Sequence, residues 1–243
     1  MARAVKLMAY IVKHDSGFSP NPFGGACTLA CCKPVIRRSA EPGDIVIGTG
    51  SAHHGLSGRL IYAIRVGTVL PFQEYWECYP SKRPSPETAV KKRGDNIWHR
   101  DAFGNWRGIP GALHNERYRD RDLRGRNALI SSEFYYFGPD AIPIPNGFRR
   151  AIAMAREHKN THNADLINRF WEWIKRTAPK RGRIGVPVDF GEAVCGVCKC
   201  NRKAERSDAA DSDASFLVGR ELRPRTIGRA CSDAVARRWS PTR

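Results

Sequence analysis

The sequence predicts an α+β fold, and three observations lead there. Apolar runs of strand length crowd the front of the chain, the clearest helical periodicity comes later, and no regular strand–helix alternation joins them. Hydrophobic residues make up 41% of the 243 positions, enough for a sizeable core, which excludes a wholly disordered basic chain.

Leu7 to Val12 is an apolar run bounded by charge and predicts the first strand. Residues 14–25 follow, rich in Gly, Pro, Asn and Asp. That composition predicts a loop of fixed shape, the kind that carries function on a rigid scaffold. Glu41-Pro42-Gly43-Asp44 is a turn signal before a strand at 45–50, and Leu60 to Val66 predicts another. A helix is expected over 71–77. Residues 79–126 are polar and full of Arg, Gly and Pro, which predicts irregular structure and a flap over a site. One or two strands are expected at 127–131 and 133–138, and a helix over 148–158. Leu166, Phe170, Trp173 and Ile174 recur at helical spacing, so a helix is expected over 165–177, with Asn163 as its cap and Asp165 four residues from Arg169. Residues 178–189 suit a linker, and 201–216 are expected to be disordered.

Lys and Arg number 41 against 24 Asp and Glu, a net charge of +17. The excess is +7 over residues 1–144, +6 over 145–200 and +4 over 201–243, so it is spread along the chain. This points to a polyanionic partner, nucleic acid first and a nucleotide second. The longest apolar runs are strand-sized, far short of the roughly 20 residues that span a bilayer, so no membrane association is expected. Only a few apolar residues follow the basic start, which predicts no secretory leader and a cytoplasmic protein. Eight cysteines in that compartment argue for thiols or metal before disulfides.

The densest chemistry lies between His14 and Arg38. Lys33 and Arg37 suit phosphate oxygens. Asp15 and Asn21 suit a base edge, since a carboxylate accepts hydrogen bonds and a carboxamide both accepts and donates. Cys32 beside Lys33 has the setting of a nucleophile, but Cys27, Cys31 and Cys32 equally suit a buried apolar site or a metal. Thr49 and Ser51 lie in a Gly-rich stretch after a strand, where backbone amides can cradle an anion; the Gly-Lys-Ser/Thr of a phosphate loop is missing. Asp95, Asn96 and His114 sit in the irregular middle and can close over a ligand, with Trp98 and Trp106 available to stack on a base. Cys195, Cys198 and Cys200 form C-x-x-C-x-C, and with Cys231 they make a candidate zinc site in the C-terminal extension.

The run from Lys13 to Arg38, with Gly43-Asp44, Gly48-Thr49-Gly50-Ser51, Leu60-Ile61-Tyr62-Ala63, Gly94-Asp95-Asn96-Ile97 and Ser132-Glu133-Phe134-Tyr135-Tyr136-Phe137-Gly138, resembles the nucleotide modification associated domain of type two, a family of bacteria and their phages. The resemblance covers about residues 5–178 and implies a place in DNA base modification systems without specifying a reaction. It divides the chain into a domain over 1–178 and a basic, Cys-containing, partly disordered extension over 179–243. The Gly-Asp turn and the strands around it are also similar to PUA-like barrels of the ASCH and EVE groups. That likeness implies a small mixed or antiparallel β-barrel with helices packed on it and a base held in a pocket beside it.

Two functions follow as expectations. One is recognition or processing of a modified nucleotide or base, free or in DNA, in a pocket lined by the 14–38 loop, with other DNA modification proteins as partners. The alternative is a nucleotide-directed transferase or hydrolase with Cys32 or His14 as nucleophile or base and Asp15 as orienting partner. A third possibility is an accessory subunit that docks on DNA through charge alone.

Overall fold

In the computed structural model, residues 3–152 and 158–190 are described. The Cys195, Cys198, Cys200 and Cys231 cluster and the expected disorder of residues 201–216 lie outside them.

In chain order the elements are β1 (Leu7–Val12), β2 (Cys27–Leu29), α1 (Pro34–Ser39), β3 (Ile45–Gly50), β4 (Arg59–Arg65) and β5 (Thr68–Pro71). Then come α2 (Phe72–Cys78), the short β6 (His99–Arg100) and β7 (Trp106–Arg107), and α3 (Arg119–Leu123). The remainder is β8 (Asn127–Ser131), β9 (Glu133–Tyr136), β10 (Ile142–Pro143), α4 (Asn146–Ile152), β11 (His158–Thr161), α5 (Ala164–Thr177) and β12 (Gly182–Arg183).

The main sheet runs β11-β1-β3-β4-β9-β12, with β10 paired to β4. β1 and β3 are parallel, while β3–β4, β4–β9 and β1–β11 are antiparallel. Side chains alternate across a strand, so β1 serves two cores. Leu7 and Ala9 join Ile45, Ile47 and the apolar stripe of α5, where Ile167, Phe170, Trp171 and Ile174 are buried. Met8, Tyr10 and Val12 face the other way, onto Cys27, Leu29 and Leu129 of the second sheet, β2-β8-β5. Gly48 lies on that face beside Val12 and Tyr62, where a Cβ would overlap the Tyr62 ring. The molecule is thus layered as helix, seven-stranded sheet and three-stranded sheet, a mixed α+β arrangement.

Three expectations change here. None of the described sheets closes into a barrel. Both faces of the large sheet are already buried by other layers, so closure is not what removes its apolar surface from water. Of the helix expected over 148–158, the described part is α4 at Asn146–Ile152, and His158, expected to close that helix, instead opens an edge strand beside β1. The irregular stretch 79–126 has a core of its own, with Trp98 and Ile97 fully buried against Phe18, Cys31 and Phe72. Trp98 is therefore not a stacking platform, and Trp106 is half-buried over Phe72.

Residues 182–190 lie against the sheet: β12 pairs in parallel with β9, and the Asp189 amide donates to the Asp15 carbonyl. No helix among the described residues is long and apolar enough to cross a membrane.

Candidate functional site

The site begins at a strained turn. Cys32 and Lys33 follow β2 and both occupy the left-handed region, at φ 58° and 41°. Side chains other than Gly rarely sit there, and the conformation persists only when neighbours hold it. Here both main-chain groups of Cys32 are clamped. Its amide donates to Asp122 Oδ1 at 3.0 Å, and its carbonyl accepts from Arg37 Nε at 2.7 Å. The turn leaves the Cys32 side chain partly exposed while Cys27 and Cys31 are sealed in the core.

Cys32 and Lys33 form one wall of a cavity of about 500 Å³. Ile11, Val12, Pro34, Val35 and Ile36 supply its apolar surface, and Tyr10 and Ser19 add polar groups. Its charged lining comes from Lys13, Lys33 and Arg121, with His14 beside them, and includes no carboxylate. Burial, followed by the charges of Lys13 and Arg121, lowers the pKa of Lys33, although the nearby Cys32 sulfur opposes that. Lys33 Nζ also stands 4.4 Å from the centre of the Tyr10 ring.

Behind the cavity wall, three groups form a chain. Cys32 Sγ lies 3.7 Å from His114 Nε2, and His114 Nδ1 lies 2.6 Å from Asp122 Oδ2. Phe18 meets the His114 ring edge-on and Tyr118 stacks against it, so its plane is fixed. Asp122 is fully buried and also accepts from Trp98 Nε1 at 3.2 Å. Burial opposes a charge on His114, but the hydrogen bonds to Asp122 and Cys32 outweigh it and raise the pKa to about 9. Burial likewise opposes the Asp122 charge, yet its bonds to His114 and to the Cys32 amide hold its pKa below the usual value. Arg121 Nη2 completes the cluster, 3.8 Å from Cys32 Sγ and 3.5 Å from His114 Nε2. Cys31, His114 and Asp122 also place three potential metal ligands within 4.8 Å. Their donor atoms are already engaged with one another or, for the Cys31 thiol, with the Asp95 carbonyl, and a guanidinium beside His114 repels a cation.

The structure separates the residues singled out in the sequence. His14, Cys32 and Lys33 line the cavity, and His114 touches Cys32. The others sit elsewhere. Arg37 is fully buried and donates to the carbonyls of Cys32, Asp122 and Asn127. It cannot meet a phosphate, and its work is to hold the turn. Asp15 lies under the 182–190 segment, accepting from Tyr136 Oη and the Val188 amide, with burial foremost in raising its pKa to about 6. It orients neither His14 nor Cys32. Asn21 accepts from Lys82 Nζ at 2.8 Å and donates to the Arg93 carbonyl. Lys82 is itself buried and bonded to the carbonyls of Asn21, Phe23 and Ala26, which gives the 21–26 loop its fixed shape. Asp95 accepts from Thr28, Tyr75 and the Ala30 amide, while Asn96 donates to the Tyr75 and Tyr79 carbonyls. Thr49 and Ser51 are buried where β3 ends, against Tyr10 and the Leu56 turn, and the glycines there serve close packing.

Arg121 and Asp122 were not apparent in the sequence. They lie in a run of alternating charge that suits a solvated helix face, and nothing local marks one carboxylate as buried 90 positions from its Cys32 partner.

The model of one protein family, described as nucleotide modification associated domain 2, matches residues 4–193. Neither the curated proteins nor the solved structures contain a match.

Proposed function

Since the chain belongs to the nucleotide modification associated domain 2 family, we propose that the Cys32 cavity holds a nucleotide, as substrate or ligand of a nucleotide modification system. The observation that carries this reading is the lining: Lys13, Lys33 and Arg121 with no carboxylate among them. Lys13 and Lys33 converge with no carboxylate in the lining, Arg121 has the Asp122 carboxylate 3.9 Å away behind the wall, and an anion relieves the repulsion that remains. The apolar wall from Ile11 to Val35 suits the face of a base or sugar, and a cavity of about 500 Å³ is in the range of small-ligand sites. Phosphate is assigned to the three cations. DNA bearing an accessible or flipped nucleotide is the macromolecular form of the same ligand, favoured by a net charge of +17.

The test is equilibrium binding of a panel of nucleotides and the matching nucleosides, with canonical and modified bases, at two salt concentrations. Nucleotides are expected to bind and nucleosides to bind far more weakly. Lys33→Ala and Arg121→Ala should each cost about 1–3 kcal/mol, as charged hydrogen bonds do. Equal binding of nucleotide and nucleoside, or unchanged affinity in both variants, would sink the assignment. Binding to duplex that ignores the base and vanishes with salt would leave the accessory-subunit reading in its place.

A further inference from the structure

We propose that Cys32 is a covalent nucleophile, served by His114 as proton carrier and Asp122 as the group that orients it, for acyl transfer or hydrolysis at a carbonyl borne by the cavity's ligand. The proposal uses the nucleotide reading only to name what carries that carbonyl.

The arrangement has the parts such chemistry needs. A nucleophile and a base lie within reach, 3.7 Å apart, and a third group fixes the base, 2.6 Å from its other nitrogen. Bonding of Nδ1 to Asp122 leaves Nε2 as the atom that faces sulfur. The His114 ring cannot swing, because Phe18 and Tyr118 hold it from two sides. Asp122 cannot shift without breaking its bonds to Trp98 and the Cys32 amide. The same carboxylate therefore positions both the base and the nucleophile's backbone. Arg121 adds a permanent charge 3.8 Å from sulfur, which stabilises negative charge there. Of the three described free cysteines, only Cys32 opens on the cavity, and it does so from a strained turn that three side-chain bonds to Arg37 and Asp122 maintain around it.

The step balances without a redox partner. With the thiol proton already held on His114, the Cys32 sulfur bonds to the carbonyl carbon, and the carbonyl π pair moves to oxygen. When that pair returns, the bond to the leaving group breaks and His114 gives the leaving group its proton. Water, or an amine acceptor for transfer, then attacks the thioester carbon while His114 takes its proton, and sulfur departs as the thiolate.

Two probes test this on the full-length protein without knowledge of the natural substrate. The first is the rate of Cys32 alkylation by iodoacetamide between pH 5 and 9, read site by site by mass spectrometry. The titratable and charged groups around the sulfur are His114, Arg121, Lys33, Tyr10, Arg37 and Cys31, with Asp122 bonded to the Cys32 amide. Folded protein is expected to react at Cys32 at least about 10-fold faster below pH 7 than the urea-unfolded chain, while Cys27 and Cys31 stay protected. His114→Gln should abolish that excess. The folded-versus-unfolded comparison remains decisive should that variant fail to fold. The second probe is p-nitrophenyl acetate, which should release a burst and leave an acetyl group on Cys32, and Cys32→Ala should lose both the burst and the adduct. Ordinary reactivity at Cys32, an excess that survives in folded His114→Gln, or stoichiometric zinc that blocks Cys32 would overturn the proposal. Failure of nucleotide binding with both probes positive would instead indict the ligand assignment and leave the nucleophile standing.

Discussion

Arg37 donates to three main-chain carbonyls in three separate segments, and Gly125 lies against its guanidinium, where a Cβ would overlap it. Removing the charge leaves those carbonyls buried without donors. Arg37→Met is expected to cost about 3–5 kcal/mol, in line with breaking a buried charged network, and to lower the urea midpoint accordingly. Gly125→Ala should destabilise by about 1–3 kcal/mol through overpacking against the same group. At this scale the sequence was half legible. It marked the segment that holds Cys32 and Lys33, and it singled out His114 as a polar group near a site. It could not distinguish Lys33, which reaches the cavity, from Arg37 four positions later, which is buried. That difference depends on Asp122 and Asn127, which come from far along the chain.

Among the elements, α5 was the most legible. Its stripe meets the sheet, the Asn163 side chain accepts from the Leu166 amide at 2.9 Å, and Asp165 pairs with Arg169. Asn163→Ala should cost about 1 kcal/mol for the lost cap. Ile174→Ala, at a fully buried position, should cost about 2–5 kcal/mol through the cavity it leaves. Both are checked by denaturant unfolding, and neither should alter nucleotide binding, because α5 covers the sheet face away from the cavity. The strands β1, β3, β4, β8 and β9 were legible as apolar runs of the right length. β2, α1, β11 and β12 were not, for a physical reason. Each is two to six residues long, too short to show a period, and the three strands among them are stabilised by pairing with a distant partner. The turn that presents Cys32 lies between two of these hidden elements.

For the whole molecule, Asp15 and His114 make stability fall as pH rises from about 4 to 8, above which Lys82, its pKa lowered by burial to about 8, opposes them. Asp15 and His114 both bind protons more tightly folded than unfolded, at about 6 and about 9. Each therefore stabilises the fold below its ordinary pKa and loses that contribution as pH climbs to the folded value. Asp15 acts between about pH 4 and 6, and His114 between about 6.5 and 9, with at most about 3 kcal/mol from each. Urea midpoints measured from about pH 4 to 8 should decline, and His114→Gln should flatten the part above about pH 6.5. Layering explains why the site was harder to anticipate than the class of fold. The α+β class follows from the order of apolar runs, whereas the site joins residues 32, 114 and 122 only after two sheets and an irregular subcore have assembled. The central claim is that a nucleotide occupies the cavity whose wall is Cys32. The measurement that tests it most directly is nucleotide protection of Cys32 from iodoacetamide. Saturable protection with the same midpoint as equilibrium binding is the expected result; tight nucleotide binding that leaves the Cys32 alkylation rate unchanged would contradict it.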